Sequence, residues 1–139
     1  MSFNETVFPY INLGGKPRPY IPVKIHFKHG TEEVYALLDS GADLTFIPLY
    51  IARQIGLQLK PKKMQKVFGV GGEVDCYNTQ ATLIFDMAEG EFSLTRVNVL
   101  VPDQDSFMYT LLGRDTIFPH YKITFDESKQ NTILERLFD

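Results

Sequence analysis

The sequence predicts an all-β fold: a closed β-barrel or folded sheet with a glycine-rich hairpin and one or two short helices. Three observations point there. With 11 Phe and 7 Tyr in 139 residues, the chain is rich in side chains that fit a half-buried pleated surface. Ten Gly and 8 Pro punctuate it too closely for long helices. Its apolar residues also recur at period two. Val23, Ile25 and Phe27 alternate with Lys24, His26 and Lys28, as in a strand with one buried face.

The elements follow in order. Pro9, Pro17, Pro19 and Pro22 make residues 1–19 an extended arm or edge strand, because proline cannot donate to a ladder. After the strand that holds Val23 to Phe27, His29-Gly30-Thr31 turns the chain into a returning strand over 33–38. A short strand at 44–47 leads to Pro48, which opens a helix. Leu49, Ile51, Ala52, Ile55 and Leu57 form its buried face, and Gly56 stands near its end. Residues 67–78 read as a hairpin with Gly69, Gly71 and Gly72 at its tip, its second strand running on to residue 85. Ala88-Glu89-Gly90 turns into a strand over 92–101. A polar loop at 102–106, a short strand at 109–112 and a helix of a turn or two at 114–119 come next. Two strands within 121–137 close the chain. No repeat or linker interrupts it, so residues 1–139 form one domain.

Composition excludes several classes. The 14 Lys and Arg against 17 Asp and Glu give a net charge of -3, which argues against a nucleic-acid or membrane-surface binder. A single cysteine, Cys76, excludes an intrachain disulfide framework and a cysteine-rich zinc site. His26 and His29 fall on opposite faces of a strand rather than around one metal, and Asp103 and Asp105 read as solvated loop acids. No metal and no cofactor is expected. No apolar run reaches membrane-span length, and no basic segment precedes an apolar run at the start, so the expected location is cytoplasmic. The lysines at 60, 62, 63 and 66 read as a solvated stretch ahead of the hairpin. The glycines of that hairpin do not form a phosphate loop, since Val74 stands where the last glycine of that pattern belongs.

The informative segment is Leu37-Leu38-Asp39-Ser40-Gly41-Ala42-Asp43. Alone, Asp-Ser-Gly is an ordinary way to end a strand in a turn. Its surroundings separate it from that background. Leu44-Thr45-Phe46-Ile47 follows, then the hairpin Phe68-Gly69-Val70-Gly71-Gly72-Glu73-Val74, and then Leu111-Leu112-Gly113-Arg114-Asp115.

In these three motifs and their order, roughly from residue 20 to residue 125, the chain resembles the retroviral-type (retropepsin-like) aspartic proteases. The resemblance implies a homodimeric aspartic endopeptidase with no cofactor, acting on a peptide or protein bound in extended form. Asp39 would be the catalytic carboxyl, one from each subunit. Two carboxyls about 3 Å apart share a proton, so one can activate a water while the other polarises the carbonyl. Gly41 would let the backbone bend behind the carboxyl, and the Ser40 hydroxyl would brace the loop across the pair. Asp43 would pair with Arg114, a planar fork suited to a carboxylate, with Ala42, Gly113 and Asp115 supporting that junction. Phe68, Gly69, Val70, Gly71 and Gly72 would form the flap. Ile47, Val70 and Leu112 would line apolar subsites. The resemblance leaves other readings open. One is a catalytically silent peptide-binding adaptor of the same fold, and another is a hydrolase that acts on itself or one fused partner. The terminal strands are expected at the dimer seam, with an internal hairpin of the C-terminal strands as the other arrangement.

Overall fold

A computed structural model describes residues 4–69 and 72–138. The chain enters through β1 (Glu5–Pro9) and a small ribbon, β2 (Ile11–Asn12) and β3 (Pro17–Arg18). β4 (Tyr20–Phe27) and β5 (Gly30–Leu38) form the first hairpin. Ile21, Val23 and Ile25 are buried along β4, as their alternation with polar residues requires.

β6 spans just Thr45–Phe46, and α1 (Leu49–Ile55) follows Pro48. Gly56 ends this helix in the left-handed region at φ 78°. A side chain there would meet the His29 ring at 2.5 Å, so glycine is required on two counts. A short 3-10 turn (Pro61–Lys63) leads to β7 (Met64–Gly69) and the long β8 (Gly72–Met87). β9 (Gly90–Pro102), β10 (Thr110–Leu112), β11 (Tyr121–Asp126) and β12 (Asn131–Arg136) complete the chain.

The main sheet runs β4-β5-β10-β6-β9-β8-β7, and β4 also pairs with β8 through Lys24↔Ile84, Ile25↔Leu83 and His26↔Thr82. That pairing closes six strands into a barrel and leaves β7 outside it. Closure removes the open edges that an unrolled sheet would present. β10 is the keystone of the topology. It lies between β5, with which it is parallel, and β6, with which it is antiparallel. The barrel interior holds Ile21, Ile25, Leu38, Ile47, Leu83, Phe85, Val99, Leu112 and Ile117, all nearly or wholly out of water.

A second sheet, β1-β12-β11, is built from the two ends of the chain. The C-terminal strands therefore form an internal hairpin, with the N-terminal strand along its side. Arg136 fastens this sheet to the barrel. Its guanidinium lies 4.9 Å from the Phe92 ring and 5.4 Å from the Tyr121 ring, close enough for cation–π attraction, and it donates to the His120 carbonyl at 2.8 Å.

Two expectations need correction. Residues 114–120 form consecutive turns, not a helix. Their hydrogen bonds reach back three residues, from Thr116 N–H to the Gly113 carbonyl and from His120 N–H to the Ile117 carbonyl, and Pro119 has no N–H to offer. The strand expected at 44–47 shortens to two residues, because Pro48 cannot extend the ladder. No helix of the described residues is long and apolar enough to cross a membrane.

Cys76 sits wholly buried on β8, and burial pushes its thiol up to about 11 from an ordinary 9.0, with Asp75 adding to the shift. At pH 8 this alone leaves about a hundredfold less thiolate than in an ordinary cysteine. Alkylation of the native protein by iodoacetamide at pH 8 should therefore run at least about a hundredfold slower than in the protein unfolded in urea, measured by mass spectrometry.

Candidate active site

The site forms where the ends of β5 and β10 meet the loop before β6. Leu38 N–H donates to the Pro19 carbonyl, and Asp39 N–H donates to the Leu112 carbonyl, each at 3.1 Å. The backbone entering Asp39 is thus held from β10 and from the residue just before β4. The loop then closes on itself. Ala42 N–H donates to the Asp39 carbonyl at 3.1 Å, and Gly41 N–H donates to Asp39 Oδ1 at 2.9 Å. A β-carbon at Gly41 would stand 3.2 Å from that same oxygen, so glycine permits the bond that aims the carboxyl. Asp39 itself is half-buried and Ser40 is exposed. Among the described residues none bonds to the Ser40 hydroxyl.

The junction behind this loop is tighter than the sequence suggested. Gly113 passes so close to Leu44 that a β-carbon would lie 2.2 Å from the Leu44 carbonyl oxygen, well inside contact distance. Thr45, fully buried, fills the space beside it. Its hydroxyl accepts the Gly113 N–H at 3.1 Å and donates to Asp115 Oδ1 at 3.0 Å. Thr116 returns a bond to the Gly113 carbonyl at 3.1 Å. Partial desolvation raises the Asp115 carboxyl above its usual range, and the Thr45 hydroxyl opposes that shift. Arg114 N–H donates to the Ala42 carbonyl at 2.8 Å, and its guanidinium pairs with the Asp43 carboxylate. Asp39, Gly41, Ala42, Asp43, Gly113, Arg114 and Asp115 are therefore brought together as one unit. Thr45, its buried centre, was not singled out. A β-branched hydroxyl residue in a short apolar strand was its signal.

An apolar groove of about 320 Å3 opens beside this unit, lined by Phe46 and Leu111 below, Val67 and Val74 on the hairpin, and Phe107 at the side. Leu111 pairs with Leu37 and Phe46. The groove therefore opens on the Leu37 side of β5, one residue before the strand gives way to Asp39. The expected subsite residues Ile47 and Leu112 do not line it. Both are 0% exposed and face the core. Each lies one position from the residue that does line the groove, and in a strand one position changes the face. Phe46 and Ile47 are both apolar, so their pattern could not reveal which faced inward.

The glycine-tipped hairpin extends past the barrel through the register Met64↔Tyr77 to Gly69↔Gly72, with Lys66 and Glu73 paired across it at 2.7 Å. Gly72 reaches the groove. Phe68, alternating with Val67, is 77% exposed and outside it. Val70 and Gly71 lie outside the described residues.

Magnitudes rank these contacts. The Asp43–Arg114 pair is exposed on both sides, so Arg114→Ala should cost at most about 1 kcal/mol. Thr45→Val strips a buried N–H of its acceptor and should cost about 1–3 kcal/mol. Gly113→Ala must displace backbone and should cost about 2–4 kcal/mol. Urea denaturation of the three variants should return that order.

The comparisons with known proteins agree with this geometry. The family profile described as "Aspartyl protease" matches residues 21–116, which run from β4 through the junction after β10. A retropepsin-like aspartic protease from Rickettsia conorii superposes with a TM-score of 0.62 at 14% identity, over 95% of this chain and 90% of that one. EIAV protease, solved with the inhibitor HBY-793, gives a TM-score of 0.53 at 23% identity, over 78% of this chain and 93% of that one. No curated protein matches the sequence significantly. The profile match takes in the Asp-Ser-Gly turn, the hairpin and the Gly-Arg-Asp segment together, and the all-β barrel is that of the two solved proteases: the chain belongs to the aspartyl protease family and has the retropepsin-like fold.

Proposed function

We propose that the protein is a homodimeric aspartic endopeptidase in which each subunit supplies Asp39. One observation carries this reading. The sequence holds one Asp-Ser-Gly turn, at Asp39-Ser40-Gly41, and its carboxyl is held by Gly41 N–H at the end of β5, the strand paired with the groove-lining β10. The chemistry needs two carboxyls, and on this reading a second copy brings the other.

Paired across a two-fold axis, two Asp39 carboxyls would hold a single proton between them, because two charges that close cannot both persist. The ionised one takes a proton from a water as it attacks the scissile carbonyl. The protonated one donates to the carbonyl oxygen, and a proton then passes to the leaving nitrogen. The exposed Ser40 hydroxyl would brace one loop against its counterpart. Substrate would lie extended over Phe46 and Leu111, meeting main-chain groups of the hairpin as an added strand. The hairpin would serve as the flap, and a large apolar side chain at the cleavage point would fill the groove.

Asp39→Asn should lower cleavage of an apolar peptide by at least about 10²–10⁴-fold while leaving circular dichroism and thermal unfolding unchanged. The wild-type pH–rate profile should be bell-shaped on the acidic side, as a shared proton requires. Sedimentation should give twice the 15.9 kDa chain mass. Full activity in Asp39→Asn would overturn the mechanism. A stable single-chain mass with no cleavage of a broad peptide library would favour the peptide-binding adaptor instead.

A further inference from the structure

A second concavity, of about 290 Å3, lies away from the groove, between the connection from α1 to β7 and the outer surface of β8 and β9. Lys60 and Lys63 come from the connection, Asn78 and Gln80 from β8 and Asn98 from β9, with the Phe27 ring as an apolar wall. No carboxylate lines it. The ion pairs found among the described residues engage Lys24, Arg53, Lys66 and Arg114. Neither Lys60 nor Lys63 has a carboxylate within 4 Å among them. In a chain with more acids than bases, two lysines without an ion-pair partner among the described residues line a hollow that no carboxylate lines.

The neutral groups around them are already oriented. Asn78 Nδ2 donates to the Lys63 carbonyl at 3.0 Å. Gln80 Nε2 donates to Asn98 Oδ1 at 3.0 Å, which leaves the Asn98 amide N–H groups without an acceptor among the described residues. Two lysines and the Asn98 amide donor around a hollow of this size suit a compact oxyanion. The space beyond a single phosphate group would admit a small polar body attached to it.

We propose that this cleft binds a ligand bearing a compact oxyanion of the phosphate class. Its position gives the site a second meaning. Lys63 directly precedes Met64, and Asn78 directly follows Tyr77, which are the pair at the base of the glycine-tipped hairpin. An anion held by Lys63 beside Asn78 bears on the hinge of that hairpin. On the protease reading, on which this part rests, the cleft is an exosite at the base of the flap. Any effect of the anion on flap closure must be matched by an effect of substrate on anion affinity.

The test is a titration of the full-length protein with inorganic phosphate against chloride at fixed ionic strength, followed by amide NMR shifts. Saturable shifts at Phe27, Lys63, Asn78 and Asn98 are expected. Lys60→Ala/Lys63→Ala should weaken them at least tenfold with an unchanged circular dichroism spectrum, and the control Lys16→Ala/Lys122→Ala should leave them intact. Asp39→Asn should bind as wild type does, so the result stands apart from whether the protein cleaves peptides. A phosphoserine peptide binding tenfold tighter than inorganic phosphate assigns the oxyanion to a modified protein chain, and equal affinities assign it to a free small molecule. Shifts that do not saturate, or that survive in Lys60→Ala/Lys63→Ala, overturn the site. In an active preparation, phosphate should change KM for the peptide substrate in wild type and not in the double variant. An unchanged KM alongside confirmed binding overturns the coupling alone.

Discussion

The structure depends on one close approach. Gly113 and Leu44 meet at a distance that no side chain tolerates, and everything near Asp39 is arranged around that contact. It brings the end of β10 against the loop before β6. Thr45 can then reach the Gly113 N–H, Arg114 the Ala42 carbonyl, and Leu112 the Asp39 N–H. Two segments far apart in sequence become one block, held mainly by backbone groups around the buried Thr45, Leu112 and Gly113. Such bonds contribute more by never being left unpaired than by their net strength. The exposed ion pair between Asp43 and Arg114 completes the block from outside without being its main support.

Much of this was legible in the sequence because it rests on local chemistry. Period two along residues 23–28 marked β4, and Pro48 with Gly56 bounded α1. The pairing of Asp43 with Arg114 followed from a resemblance in short motifs, which backbone geometry preserves over long sequence distances. Other features rest on tertiary choices that composition does not encode. Ile47 and Leu112 could not be told from Phe46 and Leu111, since either face of those strands could have been the buried one. Thr45 gave no motif, because its role comes from a cavity that exists once Gly113 has closed on Leu44. The residues after Arg114 have helical composition in part, yet Gly113 and Thr116 commit their bonds to Thr45 and to each other, and turns result.

The lysines before β7 show the same limit in electrostatics. Along the sequence they are a solvated run. In the fold, Lys66 crosses to Glu73, while Lys60 and Lys63 line a hollow together with amide side chains. Charge spacing alone cannot separate a side chain that finds a partner on a neighbouring strand from one that does not.

The closure of the barrel by β4 and β8 has a consequence for how the molecule loosens. β8 is long enough to serve in the closed ring with its later part and in the hairpin with its earlier part, and β7 pairs with β8 at the ring's outside edge. Between Gln65 and Asp75 the hairpin therefore bonds mainly to itself. Its hydrogen bonds can part without breaking any pair of the ring, so its opening is a separate local transition with its own, smaller free energy. Cys76 and Tyr77, which pair with both β7 and β9, mark where that transition stops. The fold thus divides into a closed ring of six strands and a two-stranded extension whose own hydrogen bonds are no part of that ring.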